Sequence, residues 1–383
     1  MTRQQACRID QVPRPWTLPF KTERYLRPCS NSESAFTRKV LGGYHPFTED
    51  SPLANIIGID VSKLSLDCAY LRDVDQHKAK RKRVMNNPEG FSSLLNWAET
   101  VSGLRVSEIR FIIEPSSIYH ELLVQFLDQH HATICLVNPG RVRKFAQGMG
   151  ILSKNDLIDA DMLTRYGLLN RKLMAYQAEA QEIGDLRSLL NRLDSLERDL
   201  RRELNRQEKI GRSSVLHRLE KQSMQRCVKR LKAEIVLFKN HIRKTIHSST
   251  LFKTDYDLLM SIPGVGAKTA WVMIVVLGSR QFDSAGQVAS FLGLNPIEKQ
   301  SGKTRYRRPR LSKAGNGRFR QALFFPAMVA TRKNPDIKAQ YERLLEAGKT
   351  KMCALGAAMR KLVHICYGVL KHQRPYENRA QQS

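Results

Sequence analysis

The sequence lacks the features that would place it among several common classes of protein. Its seven cysteines are scattered along 383 residues, with no Cys-x-x-Cys pair and no histidine at metal-ligand spacing. Neither a disulfide framework nor a zinc site is therefore indicated. No apolar run reaches membrane-spanning length, and residues 1–50 lack the apolar core of a signal peptide. We expect a cytoplasmic protein with no membrane partner.

Acidic residues are scarce relative to basic ones. Lys and Arg total 64 against 36 Asp and Glu, which gives a formal charge of +28. This excess is spread along the chain and exceeds what solubility requires. It favours a polyanionic partner, because each neutralised phosphate releases counterions. A chain of this length with 42% hydrophobic residues is expected to form two or three globular domains that bind nucleic acid.

Residues 55–173 alternate short apolar strands with helical patterns, which predicts an α/β layer fold. The stretch 55–71 is interpreted as a buried strand with Asp60 near its middle, and another strand is predicted to end at Glu114. A buried carboxylate without a partner is costly. Asp60 is therefore either satisfied by a neutral partner, the commoner outcome for a single strand, or faces a cleft and holds a cation.

A helix is predicted after the cap candidates Ser153 and Asn155, and it places Asp156 and Asp159 on one face. Taken alone, this pair is typical of a solvated acidic first turn that the helix dipole stabilises. Taken with the two strand acids, it completes a set of four carboxylates. Such a set could hold two Mg²⁺ ions about 3.5–4 Å apart, as in metal-dependent phosphoryl transfer.

Two further helical patterns follow. Residues 179–246 carry heptad-like leucine spacings with a break at 211–214, which predicts a helical hairpin or a coiled coil between subunits; an amphipathic pair packed on its own domain is the alternative.

Residues 258–278 predict a helix-hairpin-helix in which Gly264, Gly266 and Lys268 approach a phosphate. A turn that only packs is the alternative there. The turn lacks the Gly-Lys-Ser/Thr ending of a nucleotide loop, which disfavours ATP binding.

Residues 295–320 are interpreted as a glycine-rich basic loop between two apolar helices. Tyr306 and Phe319 stand among its arginines, a composition that suits phosphate contact and base stacking. Ser301 precedes a glycine here, and an isolated loop serine is usually only a turn residue. The cations predicted to bind nucleic acid are Lys303, Arg305, Arg307, Arg308, Arg310, Lys313, Arg318 and Arg320.

The ordered series of motifs resembles one known family, the DEDD transposases of bridge-RNA-guided insertion sequences, to which a pilin-gene invertase is related. No single motif is decisive, but their order from residue 55 to residue 375 is specific. The motifs are GIDVSK at 58–63, IEPSS at 113–117, NPG at 138–140, KNDLIDADML at 154–163, SIPGVGAKTA at 261–270, FLGLNP at 291–296, QSGKT at 300–304, LSKAGNGRFRQAL at 311–323 and FPAMVAT at 325–331.

The resemblance implies an α/β RNase H-like (RuvC-like) domain, then a helical coiled-coil segment, then a mainly α transposase domain with the helix-hairpin-helix. Two departures from the family stand out. GIDVSK begins only at residue 58, and IEPSS replaces the more usual IEATG. The expected divisions are a loosely ordered extension at 1–52, the RuvC-like domain at 53–176, the coiled coil at 177–250, the transposase domain at 251–375 and a tail at 376–383.

The resemblance also implies the chemistry. Asp60, Glu114, Asp156 and Asp159 would be a Mg²⁺-binding tetrad, and Ser301 would be the nucleophile that bonds covalently to DNA. The implied partners are donor and target DNA, a structured guide RNA and further copies of the chain, from dimer to tetramer. The active site would be composite, with acids from one subunit and the serine from another, in a prokaryotic cytoplasm near the nucleoid.

Two rival functions remain open from the residues alone. A hydrolytic RuvC-like junction nuclease would use the same acids with water as the nucleophile, but it leaves the Ser-Gly motif without a role. A non-catalytic protein would use its charges only to bind nucleic acid. An actin-like ATPase would need further phosphate loops, which the sequence lacks.

Overall fold

The computed structural model describes most of the chain after the N-terminal extension. The predicted extension at 1–52, the cap candidates Ser153 and Asn155, and Lys303 lie outside the described residues. So do the side chains of 156–158, 298–301 and 305–309, whose backbone is described. The described ranges are 55–72, 79–151, 156–170, 173–210, 217–301 and 305–378.

A five-stranded mixed sheet forms the N-terminal part, with the strand order β3-β2-β1-β4-β5. The first three strands pair antiparallel, and β4 and β5 extend the sheet in parallel from β1. This arrangement, followed by a mostly helical region, confirms the predicted α/β class and fits an RNase H-like domain. The strands are β1 (Ile56–Val61), β2 (Ser65–Tyr70), β3 (Lys80–Met85), β4 (Arg110–Ile113) and β5 (Thr133–Leu136).

The stretch 55–71 is not the single strand that its apolar residues predict. It folds back as the β1–β2 hairpin, in which Ser62 N donates to Ser65 O at 3.0 Å and the two serine hydroxyls lie 3.0 Å apart. Serine side chains that bond to nearby backbone favour such turns. Asp60 therefore lies near the carboxyl end of β1, not in the middle of a long strand.

Helices cover both faces of the sheet. On one face α1 (Pro88–Ser102) and α2 (Glu121–Gln129) pack on the alternate residues Ile57 and Ile59 of β1. On the other face α3 (Pro139–Gly148) and α4 (Asp156–Leu169) pack on Ile56 and its neighbours. A 3-10 turn at Val106–Glu108 precedes β4. Because side chains alternate along a strand, Gly58 and Asp60 lie on the α4 face with Ile56.

The contact between α4 and β1 is unusually close. A Cβ built on Gly58 would lie 2.4 Å from Ala160 O and 2.5 Å from Thr164 N. The buried Thr164 hydroxyl accepts a hydrogen bond from Gly58 N at 3.1 Å, and it lies 3.0 Å from both Ala69 O and Ala160 O. Glycine is therefore required at 58 for the helix to reach the strand.

Two long helices follow, α5 (Gln181–Ile210) and α6 (Arg218–Ser248), and they pack against each other within the chain. Leu186 and Leu193 on α5 are buried with Ile242 on α6, as their spacing predicts. Leu190 is buried as well, outside the predicted seam. The buried stripe is wider than a heptad seam because α5 also packs on a later helix, α8 (Ala267–Gly278).

The C-terminal region is mostly helical, and its hydrophobic core is continuous with the inner halves of α5 and α6. Its buried residues run from Ile183 to Leu370, so the predicted domain boundary at 250 falls inside one core. The elements are α7 (Thr250–Met260), α8 (Ala267–Gly278), α9 (Ala285–Phe291), β6 (Pro296–Ser301), β7 (Arg305–Leu311), α10 (Gly317–Ala322), α11 (Phe324–Lys333), α12 (Pro335–Glu346) and α13 (Lys351–His372).

Helix α13 is long and apolar enough to cross a membrane by length and composition. Of its most apolar stretch, 61% is buried inside the protein, and core helices of water-soluble proteins pass the same test. Leu362, Val363 and Cys366 lie fully within the C-terminal core. The burial favours a core role for this helix.

The basic segment 295–320 is not the loop that its composition predicts. Residues 296–301 and 305–311 pair antiparallel as the β6–β7 hairpin, with Ser301 opposite Arg305. Its strands are polar and carry no clear alternation of apolar residues, so the period-2 signal of a strand is missing from the sequence. Inter-strand backbone hydrogen bonds define the hairpin instead.

Gly264 is expected to be indispensable for packing the turn between α7 and α8. Its φ is +101°, and an added Cβ would lie 2.7 Å from Ala330 Cβ and 2.8 Å from Ala330 Cα. We expect Gly264→Ala to lower the free energy of unfolding by about 2–3 kcal/mol, because it combines backbone strain with overpacking. Urea denaturation measures this change.

The matched control lies two residues away in the same turn. A Cβ on Gly266 would meet nothing within 4 Å. Gly266→Ala should therefore change stability by less than about 1 kcal/mol. Equal losses from the two substitutions would contradict the packing role assigned to Gly264.

Candidate active site

Asp60 and Glu114 are brought together by the register of two parallel strands. Ile59 of β1 pairs with Ile113 of β4, so the two acids follow at the same level at the carboxyl ends of their strands. Both are partly buried. The sequence places them 54 positions apart, and the parallel pairing makes them neighbours.

Helix α4 brings the other two acids to the same edge. A Cβ on Gly167 would touch Ile56, whereas one on Gly58 would touch Ala160 and Thr164. The helix therefore runs antiparallel to β1, and its first turn lies at the end of the strand that carries Asp60. Asp156 begins this helix, one turn before Ala160, and Asp159 follows in the same turn.

The set fits the metal that the sequence predicts by the nature of its donors. Carboxylate oxygens are the ligands that Mg²⁺ prefers, and the backbone brings the start of α4 towards the ends of β1 and β4. Among the side chains that the structure describes, no three acidic, histidine or cysteine groups are close enough to hold a metal ion. The side chains of Asp60, Glu114 and Asp159 are in that set, and the side chain of Asp156 is not.

Ser301 ends β6, beside the turn of the basic hairpin, and only its backbone is described. The same holds for Arg305, Arg307 and Arg308 on the partner strand β7. Arg310 near the end of β7 is exposed. Lys313, just beyond it, is also exposed and has a left-handed φ of +53°. A serine beside a turn with several arginines on the facing strand suits a phosphate that must be held and attacked.

Comparison with known proteins identifies the family. A DEDD transposase family of the IS110 type matches residues 57–210, and the transposase IS116/IS110/IS902 family matches residues 256–342. The pilin gene-inverting protein of Moraxella lacunata is 30% identical over 325 residues, which cover 84% of this chain and 98% of that protein. The chain belongs to the IS110 family of transposases.

Other relatives agree with this assignment. The pilin gene-inverting protein of Moraxella bovis is likewise 30% identical over 84% of this chain and 98% of its own length. The insertion element IS110 43.6 kDa protein of Streptomyces coelicolor is 32% identical over 123 residues, 32% of this chain and 30% of that protein. The family resemblance inferred from the motifs is thus confirmed, and the IS110-family transposase is expected to act on DNA.

Two of the cations predicted to bind nucleic acid make bonds within the transposase. Lys268 Nζ lies 2.8 Å from Asp194 Oδ1 and 2.5 Å from Glu197 Oε2 on α5. Arg318 donates to Asn191 Oδ1 at 2.8 Å and to Asp194 Oδ2 at 3.2 Å. These bonds join α8 and α10 to α5, a structural role that the local sequence does not reveal because the acids are over 70 positions away.

Two further side chains of the basic segment also face inward. Arg320 Nη1 donates to Leu292 O at 3.1 Å and Gly315 O at 3.3 Å, which holds together the loops on either side of the hairpin. Phe319 is partly buried against the C-terminal core. Packing therefore accounts for Phe319, which the sequence suggested as a base-stacking residue.

The two glycines of the predicted helix-hairpin-helix face different surroundings. Val265 N donates to Ile262 O at 3.0 Å, which closes a turn that has Gly264 at its left-handed position. Gly264 packs on Ala330 of α11, whereas Gly266, the N-cap of α8, borders open space. Of the two, Gly266 has the surroundings that close approach of a phosphate requires.

Two buried acids near the site were not anticipated from the sequence. Asp67 on β2 is 2% exposed, and Asp161 on α4 is 8% exposed. Arg83 and Arg81 of β3 bind both carboxylate oxygens of Asp67 and Asp161, respectively. Alternation along β2 places Asp67 on the face opposite Leu66, Cys68 and Tyr70, where the packing of α4 on β2 accounts for its burial.

Proposed function

We propose that this IS110-family transposase cuts and rejoins DNA through a covalent phosphoserine intermediate, with Mg²⁺ held by Asp60, Glu114, Asp156 and Asp159. The observation that supports the proposal is the antiparallel approach of α4 to β1, which brings the first turn of α4 towards the carboxyl ends of β1 and β4. Bound Mg²⁺ would stabilise charge on the attacking and leaving oxygens of a phosphodiester.

Ser301 is the proposed nucleophile. Its Oγ loses a proton and forms a bond to phosphorus, while the bond from phosphorus to one sugar oxygen breaks and that oxygen takes up a proton. A serine hydroxyl is a weak nucleophile and requires such activation. The arginines of β7 would offset negative charge on the phosphate in the transition state. The phosphoserine ester conserves the bond energy, so a sugar hydroxyl can reverse the step without ATP.

The proposed partners follow the family resemblance. A structured guide RNA would pair with donor and target DNA, and the +28 charge suits both nucleic acids. The α5–α6 hairpin would join subunits into dimers and tetramers as a coiled coil, and the α7–α8 turn would act as a helix-hairpin-helix. Acids of one subunit would act with Ser301 of another. The assembly would operate in a prokaryotic cytoplasm at the nucleoid.

Trapping the cleaved DNA tests this function. The full-length protein is incubated with Mg²⁺, a plasmid carrying the ends of its own element with their flanking noncoding sequence, and RNA transcribed from that noncoding sequence, and detergent-resistant protein–DNA adducts are measured. The wild type should form the adduct and Ser301→Ala should form none, because the alanine lacks the attacking oxygen. Ser312→Ala, at a nearby partly exposed serine, is the control that should retain it.

The rival functions give different products in the same assay. Free DNA ends without an adduct in the wild type would indicate hydrolysis by water. Binding with no cleavage would indicate a non-catalytic protein. An adduct that persists in Ser301→Ala would show that another residue is the nucleophile.

A further inference from the structure

A second charged pair lies directly beside the proposed metal ligand Asp60. Asp60 pairs with Asp67 across the antiparallel β1–β2 ladder, and Asp67 pairs with Arg83 across β2–β3. Residues opposite each other in such a ladder share a face, with Cβ atoms about 4.5–5.5 Å apart. Asp60, Asp67 and Arg83 therefore form one row across β1, β2 and β3, and Glu114 follows directly after β4, the parallel neighbour of β1.

Asp67 is buried within this row, whereas its partner Arg83 is exposed. The side chain of Asp67 is 3% exposed, and Arg83 Nε and Nη2 donate to its two oxygens, each at 2.8 Å. The Arg83 side chain is 58% exposed at its outer end, on strand β3 at the sheet edge. A carboxylate buried to this degree is costly unless it is paired. Two carboxylates opposite each other also repel.

We propose that Asp67 and Arg83 are a positioning pair for the metal site, which fixes the net charge beside Asp60 and keeps the Asp60 carboxylate directed to Mg²⁺. The inference rests on the proposed function, since it assigns Asp60 to the metal. Because Arg83 neutralises the negative charge of Asp67, Asp67 adds no repelling carboxylate beside the metal ligands.

The two halves of the pair have opposite expected effects on metal binding. Asp67→Asn leaves the Arg83 guanidinium without its carboxylate, and the positive charge beside Asp60 should raise the half-saturating Mg²⁺ concentration at least about threefold. Arg83→Met leaves the Asp67 carboxylate unpaired, and the added negative charge should lower that concentration at least about threefold. The double variant Asp67→Asn/Arg83→Met should return close to the wild-type value.

The experiment measures Mg²⁺ dependence in two ways on the full-length protein. The first readout is the rise in melting temperature with Mg²⁺ in the absence of DNA, and the second is adduct formation as a function of Mg²⁺. The Asp161–Arg81 pair provides the matched control, since it is also bidentate, on the same sheet face and mostly buried at its acid. Asp161→Asn and Arg81→Met should lower the melting temperature without moving Mg²⁺ half-saturation.

Shifts of opposite sign that the double variant cancels would support the positioning pair. Lower melting temperatures in both single variants with unchanged Mg²⁺ half-saturation would overturn it, since that result indicates a purely structural role. Asp67→Asn leaves no buried charge without a counter-ion. The rise in half-saturating Mg²⁺ concentration predicted for Asp67→Asn can therefore be measured even if Arg83→Met does not fold. A wild type that Mg²⁺ does not stabilise, with cleavage retained in Asp60→Asn, would instead reject the proposed function itself.

Discussion

Asp60→Asn is expected to reduce DNA strand cleavage at least about a hundredfold, the scale at which loss of one preorganised charge-stabilising group acts in an active site. The substitution preserves the shape of the side chain and removes its negative charge. Asp60 lies at the carboxyl end of the central strand β1, level with Glu114 on β4 and beside the first turn of α4. Loss of its charge therefore removes the carboxylate at the centre of the proposed metal set.

Adduct formation with the element's own DNA measures the rate, and melting temperature against Mg²⁺ measures metal binding in the same variant. We expect both responses to be lost while the far-ultraviolet circular dichroism stays unchanged. Glu89→Gln is the control, because Glu89 is an exposed acid on α1, which covers the opposite face of the sheet. Full cleavage in Asp60→Asn would exclude this residue from the chemistry.

Gly58→Ala is expected to have the largest effect on stability, about 3 kcal/mol, at the upper end of the cost of overpacking a core. The added Cβ would lie 2.4 Å from Ala160 O, 2.5 Å from Thr164 N and 2.6 Å from Thr164 Oγ1. Two of these atoms are backbone, so no change of rotamer relieves the contact. Helix α4 must move away from β1, which separates Asp156 and Asp159 from Asp60.

Hydrogen exchange measured by mass spectrometry localises this effect. Amides of β1 and α4 should lose protection together, and adduct formation should fall with them. Thr164→Ala should not rescue Gly58→Ala, because it leaves the backbone contacts in place. Gly148→Ala is the control, since a Cβ there would meet nothing within 4 Å. Normal protection of α4 in Gly58→Ala would show that the helix does not depend on this close approach.

The sequence predicted the structure correctly where apolar residues repeat with the period of one strand or one helix. The apolar runs at 56–61 and 110–113 predicted strands, and the leucine spacing on α5 predicted a packed helix. The predictions were wrong where a tight turn or the pairing of two strands determines the structure. Residues 55–71 became a hairpin through two serines at the bend, and the basic segment after residue 295 became a second hairpin. Backbone pairing between polar strands leaves little trace in residue type.

Contacts between residues far apart in the sequence were the other reason why the structure differs from the predictions. Lys268 was predicted to bind phosphate because it follows the turn of the predicted helix-hairpin-helix, and Arg318 because it lies in the basic segment, but the structure pairs both with Asp194 on α5. Asp67 and Asp161 had no visible role until β3 supplied an arginine to each. A charge in a sequence indicates a partner of opposite sign, and only the fold shows whether that partner belongs to the same chain.

The sequence by itself determined the family, the α/β class of the first half, the basic character that suits nucleic acid, and the choice of Asp60, Glu114, Asp156 and Asp159 as candidate ligands. These follow from composition, short-range periodicity and ordered motifs. The tertiary structure alone decided that Asp60 and Glu114 stand at the ends of two paired parallel strands, that Gly58 lets α4 reach β1, and that the Asp67–Arg83 pair stands beside Asp60. The physical reason is that strand register and helix packing join positions up to about a hundred residues apart, and no local pattern encodes those distances.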